Sequence, residues 1–216
     1  MPLRSLDALS PIDGRYARSA EPLRPLLSEA ALIRERLKIE AEWLLHLAAS
    51  KPPGLPAASR VSSVVLAAAR KIAAAPAETS AESVKAIEQR TNHDVKAVEY
   101  HLREQLADVG ADAATLELVH FGCTSEDINN LAYARMLRNA RSAMLETLDS
   151  LIDTLREFAT RHAALPMLAR THGQTASPTT LGKEFANVVA RLERARDRWQ
   201  RVAIRGKWNG AVGNYN

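Results

Sequence analysis

Three short segments concentrate the side chains able to bind a charged ligand or move a proton. They are Arg90-Thr91-Asn92-His93-Asp94, the run from His120 through Thr124-Ser125-Glu126-Asp127 to Asn130, and Arg170-Thr171-His172-Gly173-Gln174-Thr175. Each holds a histidine, whose imidazole can take up and release a proton near neutral pH. Each falls at a predicted helix start or in the loop before one, where unpaired N–H groups and the positive end of the helix dipole favour carboxylate and phosphate. Gly14-Arg15-Tyr16 forms a fourth polar cluster, and the planar fork of arginine suits a phosphate. The chemistry implied is capture of an anionic small molecule coupled to proton transfer. A plainer account competes with it: Ser, Thr, Asn and Asp at helix starts are ordinary caps, and a single loop histidine is more often structural than catalytic. His46, His101 and His162 lie in helical runs and read as surface or packing residues, while His120 fits either account. No His-Glu-x-x-His, cysteine pair or Gly-x-x-x-x-Gly-Lys occurs, so metal and phosphate-loop readings fail. A Gly-x-Ser-x-Gly nucleophile elbow is absent too.

The elements that must position these clusters read as helices. Apolar residues make up 46% of the 216-residue chain, enough for a sizeable core, and the low glycine content favours helix. Alternating β-branched runs are missing, so no strand is expected. After a proline-rich start, helices are predicted over about 28–49, 58–75 and 93–109, the last capped by Asn92 and stopped by Gly110. From Thr124 to about Ala163 nothing breaks the helix. Leu145, Leu148, Ile152, Leu155 and Ala159 form one stripe along it, and Leu137, Met144, Leu151 and Phe158 a second. Ser177-Pro178 is expected to start another helix, on which Leu181, Phe185, Val188, Leu192, Ala195, Trp199 and Val202 step at three and four. The result is an all-α chain, with residues 1–111 a small helical domain and 112–216 the first long helices of a bundle. Two long helices cannot bury these stripes, since a bundle needs about four. The missing partners are expected from other chains or from sequence beyond residue 216, which makes the chain a truncated piece of a larger protein.

The net charge of +4 comes from basic residues interleaved with acidic ones, as over Arg191–Arg198, which argues for a solvated helix face rather than a nucleic-acid site. No apolar stretch is long enough to cross a bilayer, and no signal core follows Met1-Pro2. Cys123 is the sole cysteine, so no disulfide can form within the chain, and a reducing, cytoplasmic compartment fits.

In order and spacing, Pro11-Ile12-Asp13-Gly14-Arg15-Tyr16, the segment Arg90–Tyr100, Cys123–Asn130, Thr171-His172-Gly173-Gln174 and the closing Asn209–Asn216 together resemble the adenylosuccinate lyase family of the fumarase/aspartase superfamily. The resemblance implies an all-helical subunit with the first long helices of a fumarase/aspartase-type bundle. It implies a homotetramer whose active sites are shared between subunits, with a nucleotide substrate and no metal or organic cofactor. The implied reaction is β-elimination of fumarate from adenylosuccinate, giving AMP, and from the succinylated aminoimidazole carboxamide ribotide of purine biosynthesis. Carried over by position, His172 matches the proton donor to the departing nitrogen. Arg15 and Tyr16 match phosphate contacts, Asn92, His93 and Asp94 a substrate-contacting segment, and Thr124 and Ser125 contacts to the succinyl part. Thr175 stands where the family pattern has proline. The family's Ser-Ser-x-Met-Pro-x-Lys-x-Asn loop, which carries the serine base, is absent from this sequence, so the chain alone is expected to be nearly inactive. Two rivals remain: a non-catalytic helical assembly module, and another fumarate-releasing lyase such as argininosuccinate lyase.

Overall fold

The computed structural model describes residues 5–215. Residues 1–4 and Asn216, which belong to the irregular start and the closing motif of the sequence reading, lie outside the described residues. The chain divides into two compact units, one comprising residues 1–138 and 205–216, the other residues 139–204.

The first unit is built on α3 (Glu29–Ser50), preceded by the short α1 (Ala17–Ala20) and α2 (Arg24–Leu27). Ser28 caps α3 by accepting the Ala31 N–H at 3.2 Å, and Lys51 ends it in a left-handed conformation. Next come α4 (Ser63–Ala74), α5 (Ser80–Thr91), α6 (Asp94–Ala107) and α7 (Ala113–Leu116). Leu37 and Leu44 of α3, Val65 of α4, Val84 of α5 and Val98, Leu102 and Leu106 of α6 interlock in one core. Each fully buried leucine stabilises the unit by about 1.5–3 kcal/mol. A second cluster joins Ile39, Val95, Ile128 and Ala132, with Trp208 packed against it. The expected helix over 58–75 is in fact a 3-10 turn at Pro56–Arg60 followed by α4. Helix α5 is not among the helices that the sequence pattern predicts. Asn92 does not cap α6 as expected: it sits at φ 49° as the left-handed end of α5, donating its N–H to the Glu88 carbonyl at 2.8 Å.

The long helix α8 (Ser125–Arg161) starts in the first unit and ends in the second. Within the second unit, its Leu145, Ile152 and Ala159 are buried, whereas Met144 and Leu151 of the other stripe stay exposed. Helix α9 (Leu181–Gln200) packs along it through Phe185 against Phe158, with ring centroids 4.5 Å apart, and through the Arg196–Asp149 ion pair. Val202, expected to continue this helix, lies beyond its end.

Between the two helices the expectation of no strands fails. Four two-residue strands form two antiparallel ladders: β1 (Pro166–Met167) pairs with β4 (Thr179–Thr180), and β2 (Arg170–Thr171) with β3 (Gln174–Thr175). Strands this short carry no period for a sequence pattern to reveal. Ser177-Pro178 therefore does not start α9; Thr180 caps it, its hydroxyl accepting the Lys183 N–H at 3.1 Å.

Gly182 allows the start of α9 to meet the end of α8 backbone to backbone, its N–H donating to the His162 carbonyl at 3.0 Å. A Cβ here would lie 2.3 Å from the Ala159 carbonyl oxygen and 2.6 Å from the Ala163 backbone nitrogen. Neither backbone can yield as a side chain would. Gly182→Ala is therefore expected to cost about 3 kcal/mol, the upper end for overpacking. Urea denaturation measures this, and an unchanged midpoint would refute the tight contact.

Candidate active site

The first unit brings two of the polar clusters together through side chains that the sequence reading did not single out. Arg36 on α3 is buried, and its guanidinium spans the start of α6 and the first turns of α8. Nη2 donates to Asp94 Oδ2 at 2.6 Å, and Nε donates to Asn129 Oδ1 at 2.8 Å. Burial alone would raise the Asp94 pKa, but the Val95 N–H and Arg36 prevail and hold it below the ordinary carboxylate value.

His93, rather than Asn92, is the N-cap of α6: its Nδ1 accepts the Lys96 N–H at 3.2 Å. A ring nitrogen that accepts must carry its lone pair, so the neutral ring has its proton on Nε2. The exposed His93 thus presents an N–H donor at the mouth of a helix N-terminus, beside Asp94.

Thr124 and Ser125, both half-buried, stand at the start of α8. Their geometry is set by Asp127, which is fully buried. Its Oδ2 accepts the N–H groups of Thr124 at 3.0 Å and Gly210 at 3.2 Å, and its Oδ1 accepts that of Asn209 at 3.0 Å and Lys207 Nζ at 2.7 Å. Lys207 Nζ also donates to the Gly210 carbonyl at 2.6 Å. One carboxylate therefore ties the helix start to the 207–210 loop. Desolvation pushes its pKa up, but Lys207 and the backbone donors outweigh this and hold it low. The Thr124 N–H is thereby engaged within the protein, leaving the hydroxyls of Thr124 and Ser125 as the groups that could meet a ligand.

His120 opens this cluster at φ 63°, and its Nδ1 lies 2.5 Å from Oε1 of the fully buried Glu40 of α3. Desolvation lowers the His120 pKa but the hydrogen bond to Glu40 more than reverses it, so the imidazole titrates above its ordinary value. Burial pushes the Cys123 thiol far up, so it stays protonated at neutral pH.

Arg15 and Tyr16 lie exposed in the segment before α1, with the guanidinium 5.6 Å from the tyrosine ring centroid. Among the described residues, no hydrogen bond or ion pair joins them to the starts of α6 or α8. His172 belongs to the second unit. With Gly173 it forms the two-residue tip between β2 and β3, both at positive φ (51° and 76°), the combination that a type I′ hairpin requires. The side chain is exposed, not buried in an apolar interior.

A signal for Glu40 was present in the sequence. It lies three residues after Leu37 and four before Leu44, within an apolar stripe, where a charge demands a partner. The role of Arg36 depends on contacts across 58 and 93 residues of chain, and the tie between Asp127 and the 207–210 loop on contacts across 80 to 83, none of which has a local signature.

A mainly helical chain, with polar clusters at helix starts and a histidine hairpin between two long helices, has the architecture of the fumarate-lyase type of helical protein. It overlays 3-carboxy-cis,cis-muconate lactonizing enzyme from Pseudomonas putida with a TM-score of 0.70 at 29% identity, over 91% of this chain and 42% of that one. A fumarate lyase from Mesorhizobium matches in fold with a TM-score of 0.66 at 22% identity, over 92% of this chain and 43% of the other. The profile of a family described as lyase matches residues 14–216, and the chain belongs to that family. Adenylosuccinate lyases of Escherichia coli K12 and Vibrio cholerae are each 46% identical over 218 aligned residues, covering 100% of this chain and 47% of theirs. The resemblance read from the polar clusters and the all-α fold class are both borne out. The chain spans about half the length of these relatives.

Proposed function

We propose that the protein to which this chain belongs is a carbon–nitrogen lyase that eliminates fumarate from adenylosuccinate, leaving AMP, and acts likewise on the succinylated aminoimidazole carboxamide ribotide. The observation that carries this reading is 46% identity along the whole chain to relatives named adenylosuccinate lyase. The geometry supports it by offering donors at the α6 and α8 starts for a polyanionic ligand.

In the reaction, a base removes a proton from the carbon beside one succinyl carboxylate. The electron pair forms the double bond of fumarate, the C–N bond breaks, and the departing nitrogen takes a proton. We assign that last proton to His172. Arg15 and Tyr16 take the phosphate, Asn92, His93 and Asp94 contact the substrate, and Thr124 and Ser125 face the succinyl carboxylates. The serine-bearing loop that would supply the base is not in this sequence, so the 216-residue polypeptide by itself should release little fumarate.

We further propose a homotetramer with sites assembled from several subunits. Support comes from Leu137, Met144 and Leu151, exposed at 55%, 42% and 49% at seven-residue spacing on α8. Such a row is an unpaired bundle seam. No described helix is long and apolar enough to cross a membrane, and a cytoplasmic setting is part of the same proposal.

The test is an assay of the full-length protein for fumarate release from adenylosuccinate, with argininosuccinate in parallel. Turnover of adenylosuccinate alone is expected. Turnover of argininosuccinate instead would move the protein to another lyase of the superfamily. Neither reacting, with AMP failing to bind, would favour the assembly-module reading.

A further inference from the structure

We propose that Glu40 is a positioning residue: its buried carboxylate takes the Nδ1–H of His120, fixes the ring, and leaves Nε2 as the atom offered to an anionic ligand. The proposal rests on the lyase reading for the ligand, but not for the pairing itself.

Glu40 is 0% exposed on a helix face whose neighbours Leu37 and Leu44 are equally buried. A carboxylate there is costly, and an apolar residue of similar size would serve packing as well or better. Its described partner is His120, at 2.5 Å, while Oε2 accepts no hydrogen bond among the described residues. The histidine side chain is only 17% exposed, so the pairing is shielded from water while one edge of the ring remains reachable. The backbone holds the same arrangement. His120 is in the left-handed region, uncommon for a residue with a side chain, and Trp43 pins the next carbonyl by donating Nε1–H to Phe121 O at 2.8 Å. A conformation this constrained fixes where the ring points, four residues before Thr124.

The charged groups around the pair come from two helices. Glu40 lies on α3. Lys96 and Glu99 lie on α6, and Glu99 is already held by Lys96 at 2.9 Å and by Arg103 at 3.0 Å. Glu40 is thus the carboxylate in direct contact with the ring. With Nδ1–H committed to it, Nε2 is a base when the ring is neutral and a cationic donor when it is protonated. His93, whose Nδ1 is the acceptor, shows the opposite tautomer. The two imidazoles then offer a ligand different chemistry: His93 donates in its neutral form, and His120 donates only when charged.

The experiment uses the full-length protein with 15N-labelled histidine, as parent, Glu40→Gln and Glu40→Asp. In the parent, the His120 resonances should show Nδ1 protonated in the neutral ring, and the ring should titrate above free histidine. In Glu40→Gln, whose amide can still accept the hydrogen bond but carries no charge, the titration should move to lower pH. The basic limb of kcat/KM should move with it, and KM should rise by about tenfold, the worth of one hydrogen bond to the ligand, with a smaller change in kcat. Glu40→Asp keeps the charge on a shorter arm and should recover part of the loss. Should Glu40→Gln not fold, the parent tautomer and the aspartate variant still decide. An Nε2-protonated neutral ring in the parent, or an unmoved His120 titration in Glu40→Gln, overturns the proposal. If the parent does not turn over adenylosuccinate, the lyase reading fails, and the resonances still judge the Glu40–His120 pairing separately.

Discussion

A protein carrying Asp127→Ala should unfold more easily than its parent by about 3–5 kcal/mol, the cost of breaking a buried ion pair by removing one partner. Four donors converge on this carboxylate: the Lys207 ammonium and the N–H groups of Thr124, Asn209 and Gly210. Alanine leaves all four without their acceptor in a place that solvent does not reach from the Asp127 side. Asp127→Asn is expected to fall between parent and alanine, because an amide oxygen accepts some of these bonds but cannot neutralise Lys207. The pH dependence has a definite sign. The folded-state pKa of Asp127 lies below its ordinary 3.8, so its contribution is complete above that value and disappears as pH falls through the lower, folded one. Parent and Asp127→Ala should therefore differ fully at neutral pH and converge in strong acid. Urea denaturation from pH 7 down to about 2, the usual carboxylate range, measures both arms. A neutral-pH difference under about 1 kcal/mol, the worth of an ordinary net hydrogen bond, would mean that the network does not fasten the helix start to the 207–210 loop.

On the proposed proton-donor role, His172→Asn in the full-length protein should lower kcat by about 10²–10⁴-fold, the range for a lost general acid, while KM changes little. Asparagine is the informative replacement. It tolerates the positive φ that His172 adopts at the hairpin tip, so the turn is kept and the titrating group alone is removed. Because the side chain is exposed, the melting temperature should match the parent's. Stopped assays for fumarate, together with a melting curve, separate the possibilities. Turnover near the parent's removes His172 from the proton-donor role, and a lowered melting temperature would show that the histidine is structural.

The parts legible in the sequence are those governed by local rules. The apolar stripes at three and four residues placed α3, α6, α8 and α9, and Pro52-Pro53-Gly54 lies just beyond the end of α3. The polar clusters at helix starts were visible because polar side chains there interrupt apolar periodicity. The remainder depended on groups distant in the chain. Helix α5 buries Val84 and Ile87 with small residues, too few large side chains to advertise a face. By residue type Asn92 is the favoured cap, and only its left-handed backbone hands that role to His93. Asp127 reads locally as one member of a capping run, while the loop that occupies it lies about 80 residues away at Lys207–Gly210. The histidine hairpin was hidden because its ladders are two residues long, and His172-Gly173 is not among the common turn dipeptides.

The handedness of that tip also bears on mutational libraries at positions 172 and 173. Survival of such variants in cells screened for expression would be governed by torsional tolerance, enriching glycine, asparagine and aspartate at both positions. Under the proposed lyase activity, a growth selection that demands purine synthesis would instead retain histidine at 172 while leaving 173 as in the expression screen. The two enrichment profiles should part company at one residue and coincide at its neighbour, which turns a backbone angle into a readout of what evolution has been selecting.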